Sequence, residues 1–329
     1  MNRRDILRYG LAGLAGSALA PCRAFTQPRY PNRPIKLVVP FAPGGATDVA
    51  GRLWAERMKS VLGTVVIENK PNAGGALGTA EVARAQPDGY TFLFGNTSTQ
   101  VLLPVLANRP MYDPLKDFTS LYIVCVSPTV VVVNESVPVR TLAEFVAYAK
   151  ANQGKLSYGS AGTGTLTNLA GELFKHLIGA PEIVHVPYKG AAPGVADLAS
   201  GHIPMMTPNV GGPLLDFHRA GKVRILAVAS ETRLTIAPDI PTATEAGLPG
   251  MVAANFNGLF APAGLAQPIS DLLVGETRKV MADPEFQRLL LVSGFEPTST
   301  SGPAQAQSHV SAELARWTPI MKATNFKVE

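Results

Sequence analysis

Two glycine-rich turns, each set where an apolar run hands over to a helical stripe, constrain this chain more than any other feature. The first follows Leu37-Val38-Val39 and reads Pro40-Phe41-Ala42-Pro43-Gly44-Gly45-Ala46-Thr47-Asp48. The second reads Tyr158-Gly159-Ser160-Ala161-Gly162-Thr163-Gly164-Thr165. A strand that turns through glycines into a helix presents bare backbone N–H groups at the positive end of the helix dipole, where an anion can be held. Two such turns, on what the pattern places in separate lobes, predict an anion held between them.

The rest of the pattern is layered. Short apolar runs alternate with helical spacing, which predicts an α/β fold, with strands at 35–40, 65–69, 91–95, 130–134, 183–186 and 224–229. Val49, Leu53, Val61 and Leu62 form a stripe after the first turn, and Leu166, Leu169, Leu173 and Leu177 form one after the second. Stripes at three- and four-residue spacing are core packing. A length of 329 residues favours two domains. A proline-interrupted apolar run at 126–133, followed by a fresh helical pattern at 142–148, marks one crossing between lobes. A loop-like stretch at 250–258 marks the return, and a helical tail at 269–291 packs back on the first lobe. The expected division is 30–129 with 254–329 as lobe 1 and 130–253 as lobe 2.

The N-terminus sets the compartment. Arg3 and Arg4 precede a small apolar run from Tyr9 to Ala20, so residues 1–24 read as a twin-arginine-type signal peptide and the mature protein is expected in the periplasm. That run is too short for a membrane span. Cleavage fits after Ala20 or after Ala24, and Pro21 directly before Cys22 departs from a lipoprotein box. With Cys22 removed, Cys125 is the last thiol and no intrachain disulfide is available. The formal charge of +5 is largely the leader's, because Arg3, Arg4, Arg8 and Arg23 against Asp5 leave only +2 for the remainder. No basic run or stacking-aromatic stripe accompanies it, so no nucleic-acid partner is expected.

Catalytic patterns are incomplete. Ser160 and Gly162 supply half of a G-x-S-x-G elbow, but Tyr158 replaces the first glycine. His176, His185, His202, His218 and His309 stand in no suggestive context, and no His/Cys/Glu group has metal-ligand spacing. The glycine turns lack the Lys-Ser/Thr of a phosphate loop. Neither a metal nor a cofactor is expected. A serine hydrolase using Ser160 is the enzymatic alternative.

An ordered set of short motifs resembles the Bug family, the solute receptors of tripartite tricarboxylate transporters. It comprises Tyr30-Pro31, Val39-Pro40-Phe41 with Pro43-Gly44-Gly45 and Asp48, Asn69-Lys70-Pro71 with Ala73-Gly74-Gly75, and Pro87-Asp88-Gly89-Tyr90-Thr91. It continues through His185-Val186-Pro187-Tyr188-Lys189-Gly190, Pro241-Thr242 with Glu245, Gly247-Leu248-Pro249-Gly250, and Pro262-Ala263-Gly264. The resemblance implies a type II periplasmic-binding-protein fold, two α/β lobes with a ligand cleft between them. It also implies a non-enzymatic, monomeric receptor that delivers a small carboxylate to membrane permease subunits. A receptor presenting the same ligand to a signalling partner would share the pattern.

On that frame, Gly44 and Gly45 let backbone approach a carboxylate, while Thr47 and Asp48 cap the following helix or, for Asp48, hold a water. Residues 72–78, with Gly74 and Gly75, make a similar approach to a helix expected from Thr79. Ser160, Thr163 and Thr165 offer hydroxyls, and Ala161, Gly162 and Gly164 offer amides, with Thr165 also a helix cap. Asn96 and Thr97 are expected on the cleft floor, and Phe41 beside Pro43 forms an apolar wall. The family resemblance makes the loop of Tyr188 and Lys189 ligand-facing. Two helix ends at about 0.3–2 kcal/mol each and four or five charge-assisted hydrogen bonds at about 1.5–3 reach the roughly 8 kcal/mol of a micromolar receptor without a salt bridge. Where the family carries an acidic residue after the Gly201 turn, this chain has Pro204, Thr207 and Pro208, and Phe256 replaces a common tryptophan. The missing acid predicts a ligand without an ammonium group.

Overall fold

The alternation resolves into β1 (Ile35–Val39), α1 (Ala46–Leu62), β2 (Val65–Asn69), α2 (Ala76–Ala83), β3 (Thr91–Asn96), α3 (Leu103–Leu106), β4 (Phe118–Asn134), α4 (Leu142–Asn152) and β5 (Ser157–Ser160). These are followed by α5 (Leu166–Ile178), β6 (Val184–Pro187), α6 (Ala191–Ala199), β7 (Met205–Met206), α7 (Gly212–Arg219), β8 (Val223–Ala229) and β9 (Ala254–Pro262). The chain ends in α8 (Gln267–Ala282), α9 (Pro284–Val292), β10 (Glu296–Pro297) and α10 (Pro303–Ala323). The computed structural model describes residues 30–298 and 300–323, so the expected leader and Cys22 lie outside the described residues. From Arg33 onward the described residues form one compact unit.

The expected strands fall where the sequence places them to within a residue, apart from the central two. The second stripe packs inward, whereas Val49, Leu53 and Val61 of the first are only partly buried and the core face of that helix lies one residue round, on Ala50, Trp54 and Met58. The run at 130–134 is only the end of a 17-residue strand, β4, and the stretch at 250–258, read as a loop, enters the nine-residue β9. The expected helical tail breaks at Asp283 because Pro284 opens a new helix, α9. The helix expected from Thr79 begins earlier, at Ala76, after a single 3₁₀ turn over Ala73–Gly75.

β4 organises the sheet. Its first part, Phe118 to Pro128, pairs antiparallel with β9, and β9 pairs with β3, which continues parallel through β1 to β2. Its second part, Thr129 to Asn134, pairs antiparallel with β8 and β7, and β7 leads parallel through β5 to β6. One strand therefore serves two runs of sheet whose parallel members are joined by helices, as crossover connections require. The run Val130 to Val133 is apolar throughout because strand alternation sends Val130 and Val132 into one core cluster and Val131 and Val133 into another.

The helices after the glycine turns are held by their apolar faces. α1 buries Ala50, Trp54, Ala55, Met58 and Leu62, and Trp54 Nε1 donates to Thr277 Oγ1 of α8 at 3.1 Å. α5 buries Leu166, Leu169, Ala170, Phe174 and Ile178 and ends in a left-handed Gly179 (φ 66°). Among the described residues no helix is long and apolar enough to cross a membrane.

Candidate functional site

The first glycine turn is closed by its own helix. Gly45 is the N-cap of α1 and no side chain caps it. Gly44 takes φ +80°, and its N–H donates to Asp48 Oδ2 at 2.8 Å. That buried carboxylate also accepts from Arg52 Nε at 2.9 Å and from Asn69 Nδ2 at 2.8 Å, and Asn69 Nδ2 donates to the Phe41 carbonyl at 2.9 Å. Asp48 is thus a clasp that fixes the loop from Phe41 to Gly44. The open Gly44 amide expected from sequence is corrected, because an ionised acceptor one helical turn away binds it. Thr47 is corrected too: it lies past the N-cap and turns to the sheet, donating to Asn257 Oδ1 and accepting from Asn96 Nδ2, each at 2.9 Å.

Asp48→Ala removes the buried acceptor that ties the exposed Gly44 N–H and the part-buried Asn69 amide to α1, and leaves Asn69 Nδ2 with only the Phe41 carbonyl. Because Arg52 is half in solvent, its share of the loss is small. A loss of about 2–4 kcal/mol in urea unfolding is expected, and Asp48→Asn, which keeps one acceptor, should lose less.

The second turn is closed even more completely. Ala161 N–H donates to Thr167 Oγ1 at 2.8 Å, Gly162 N–H to Ser160 Oγ at 3.1 Å, and Gly164 N–H to Asn168 Oδ1 at 3.0 Å. Thr165 N–H reaches the Gly162 carbonyl at 3.3 Å, and Leu166 N–H is capped by Ser98 Oγ, from the π-type turn after β3, at 2.9 Å. The amides of Ala161, Gly162 and Gly164, expected to be offered outward, are therefore taken by side chains of the same turn and of α5. Thr165 is the N-cap of α5, accepting from Asn168 N–H at 3.4 Å and donating to the Gly162 carbonyl at 2.6 Å. Among the described residues, Thr163 alone keeps both amide and hydroxyl unpartnered within this turn.

The two turns share one device. Gly44 (φ +80°) and Gly164 (φ +77°) are left-handed, and each gives its N–H to an Asx side chain four residues on, Asp48 and Asn168. Glycine is required at both because an L side chain is strained there.

A cavity of about 320 Å³ opens between the turns. Phe41, Gly74 and Gly75 line one side, and Ala161, Gly162, Thr163, Tyr188 and Lys189 line another. Pro40, Pro71, Ala73, Leu103 and Pro187 complete the wall; Leu103 carried no signal in the sequence. Approach is close enough to demand glycine: a Cβ on Gly74 would sit 2.8 Å from the Thr163 carbonyl oxygen, and one on Gly162 3.1 Å from that of Tyr188. The first turn is tied to the same region by Ala42 N–H donating to the Lys189 carbonyl at 3.3 Å.

Other expected site residues lie off the cavity wall. Pro43 and Gly44 are exposed, while Gly45, Thr47, Asp48, Ser160 and Thr165 are buried behind it. Asn96 and Thr97 are buried ties between β3 and β9, with Thr97 N–H donating to Asn255 Oδ1 at 3.2 Å and Thr97 Oγ1 accepting from Phe256 N–H at 3.0 Å. Tyr188 presents its loop to the cavity while its hydroxyl donates to Asp197 Oδ2 at 2.8 Å. Burial and that carboxylate push the phenol up to about 12.

The cavity wall holds one cation, Lys189, and no acid. Lys189 is exposed and has no ion pair among the described residues. A larger hollow, about 510 Å³, lies away from both turns and is lined by Asp113 and Asp117 with no base, so it suits an anion poorly. Among the described residues no group of three or more His, Cys, Asp or Glu is placed to hold a metal.

Ser160 gains a partner that spacing did not indicate. Its Oγ lies 2.7 Å from His185 Nε2 while accepting the Gly162 N–H. The serine is fully buried. Burial pushes the His185 imidazole below its ordinary range; Glu172 opposes this shift and Lys175 adds to it. A neutral ring accepting the Ser160 hydroxyl is thus favoured, and the pair braces the turn.

Residues 50–326 match the family described as "Tripartite tricarboxylate transporter family receptor". Protein BugT of Bordetella pertussis is 33% identical over 321 residues, covering 97% of this chain and 95% of BugT. The structure of periplasmic binding protein BugD is 34% identical with a TM-score of 0.86, covering 91% of this chain and 100% of that one. R. palustris Rpa4515 with adipate is 33% identical with a TM-score of 0.86, covering 91% and 99%. The fold is that of the α/β periplasmic binding proteins, two lobes about a cleft, and the chain belongs to the receptor family of the tripartite tricarboxylate transporters.

Proposed function

We propose that this protein is an exported receptor that captures a small carboxylate lacking an amino group and hands it to the permease subunits of a tripartite tricarboxylate transporter. The observation that carries this reading is the cavity between the glycine turns, with Lys189 its one charged lining residue in a wall otherwise of apolar side chains, glycines, Thr163 and Tyr188. An anion with an apolar body fits such a wall, and an ammonium finds no carboxylate there. The adipate held by Rpa4515 is a ligand of that class.

In this reading residues 30–129 with 254–329 form one lobe and 130–253 the other, with β4 and β9 running near the crossings. The Arg3-Arg4 leader directs export, so the ligand is met in the periplasm. Phe41, Gly74, Gly75, Thr163, Tyr188 and Lys189 touch the ligand, while Asp48, Ser160 and Thr165 hold the turns. The Ser160–His185 pair belongs to that bracing and leaves the receptor without catalytic work.

Thermal unfolding in the presence of benzoate, succinate, adipate or citrate tests the reading. An acid at a hundred times its Kd stabilises by about 2.7 kcal/mol, which raises Tm by about 5 °C in a chain of this size. No shift with any of the four, against a shift with amino acids, would reject it.

A further inference from the structure

We propose that His185 is a proton switch on ligand capture: in acid its imidazolium breaks the brace that Ser160 gives the second glycine turn, and the cavity loosens its hold; the proposal rests on the receptor reading above. β5 and β6 pair in parallel, with Tyr158 opposite His185 and Ser160 opposite Pro187. Opposite residues share a face and alternate residues return to it, so Tyr158, Ser160 and His185 stand on one side of the sheet. α5 covers that side, with Gly171 against the Tyr158 ring.

Two contacts carry the ring's state to the cavity. Ser160 Oγ lies 2.7 Å from His185 Nε2 and accepts from Gly162 N–H at 3.1 Å, and Gly162 lines the cavity. While Nε2 is neutral it accepts the Ser160 proton, so the hydroxyl gives one bond and takes one. Once protonated, Nε2 is a donor aimed at the same oxygen, and the Ser160 proton has no other acceptor among the described residues. The serine is fully buried, so bulk water does not replace the lost bond. Relief comes only if Ser160 leaves the ring, and Gly162 moves with it.

The groups around the ring set the direction. Burial is the largest influence and disfavours the imidazolium; from α5, Glu172 attracts the charge and Lys175 repels it. Glu172 is already shared, since Lys175 Nζ pairs with it at 3.0 Å and the Tyr158 hydroxyl donates to it at 2.6 Å. From β5, the Tyr158 ring stacks on the imidazole with centroids 4.9 Å apart. The braced turn therefore binds a proton less well than a turn that has let Ser160 go. By linkage the braced form is favoured in full above the ordinary imidazole value of about 6.5, and that preference is lost as pH falls through the lower value of the buried ring.

Calorimetry of the full chain between about pH 7.5 and about pH 5 tests the switch, with whichever of benzoate, succinate, adipate and citrate binds. His185→Gln keeps an oxygen for the Ser160 hydroxyl and does not titrate, so its decline in affinity reports protonation of the acid alone. Wild-type affinity should fall about tenfold further over the same range, the equivalent of one pKa unit. Equal declines, or tighter wild-type binding in acid, would overturn the proposal. A second measurement needs no ligand: in isotope-labelled protein the Gly162 amide resonance should titrate with the midpoint of the His185 ring, and should cease to do so in Ser160→Ala. A Gly162 amide that ignores the imidazole overturns the switch, and this readout decides if His185→Gln does not fold. A wild type that binds none of the four acids removes the receptor reading, while the Gly162 amide still shows whether the brace responds to the proton.

Discussion

Gly171→Ala should cost at least about 3 kcal/mol of stability, because the added methyl has nowhere to go. A Cβ at this position of α5 would lie 2.1 Å from Tyr158 Cε2, 2.5 Å from Cδ2 and 2.6 Å from Cζ. The ring cannot retreat: its hydroxyl donates to Glu172 Oε1 at 2.6 Å and accepts from Asn168 Nδ2 at 2.7 Å, and it stacks on His185 with centroids 4.9 Å apart. Burial and the Glu172 carboxylate push the phenol pKa far up, so it remains a donor at any working pH. Thermal and urea unfolding measure the loss. Adding Tyr158→Leu to the same chain should recover part of it, because the two positions are in contact and their effects are not additive. Full additivity would place the damage elsewhere.

That contact explains why the second glycine turn stands where it does. The Gly171–Tyr158 approach sets the spacing between β5 and α5, and the turn from Ala161 to Thr165 must span that gap. A side chain at Gly171 would therefore move the turn that lines the cavity as well as loosening the core.

Much of this framework is legible in the residues. Alternating runs with glycine turns point to parallel strands followed by helices, since only that order returns each apolar stripe to the sheet. Asp48 and Asn168 each stand four residues after a glycine, the spacing that lets an Asx side chain reach back over one helical turn. What spacing could not reveal is that these and Thr167, Ser160 and Ser98 take the amides of Gly44, Ala161, Gly162, Gly164 and Leu166. Glycines advertise open N–H groups only until a nearby side chain claims them, and the Ser98 cap comes from 68 residues away.

The centre of the sheet was hidden for a different reason. β9 carries Asn255, Asn257 and Gly258 in its interior, residues that disfavour strands, and they read as a loop. They hold a strand because β3 and β4 flank it on both sides. A buried strand that breaks its own propensity is where local rules yield to a site. His185 follows the same rule: strand pairing sets it opposite Tyr158 across β5 and β6, on the face that Ser160 shares two residues along, and from there its ring reaches Ser160 Oγ, a relation absent from linear spacing.

Gly74→Ala should leave the fold standing and lower affinity for a bound carboxylate by about ten- to a hundredfold. Gly74 is left-handed (φ +63°), which alone strains an alanine by about 1 kcal/mol. The larger effect is across the cavity, where the new Cβ would stand 2.8 Å from the Thr163 carbonyl oxygen. That neighbour is backbone, so the loop over Ala73–Gly75 and the second turn must separate before the methyl fits. Both line the cavity, and an opened gap loses the close backbone approach on which capture depends. Neither loop carries the sheet, so Tm without added acid should fall by only a few degrees. The contrast with Gly171→Ala is the informative measurement: calorimetry on the folded Gly74→Ala protein should show weakened binding, whereas Gly171→Ala should fail first in unfolding. Undiminished affinity in Gly74→Ala would mean that the approach of these two loops is not part of ligand capture.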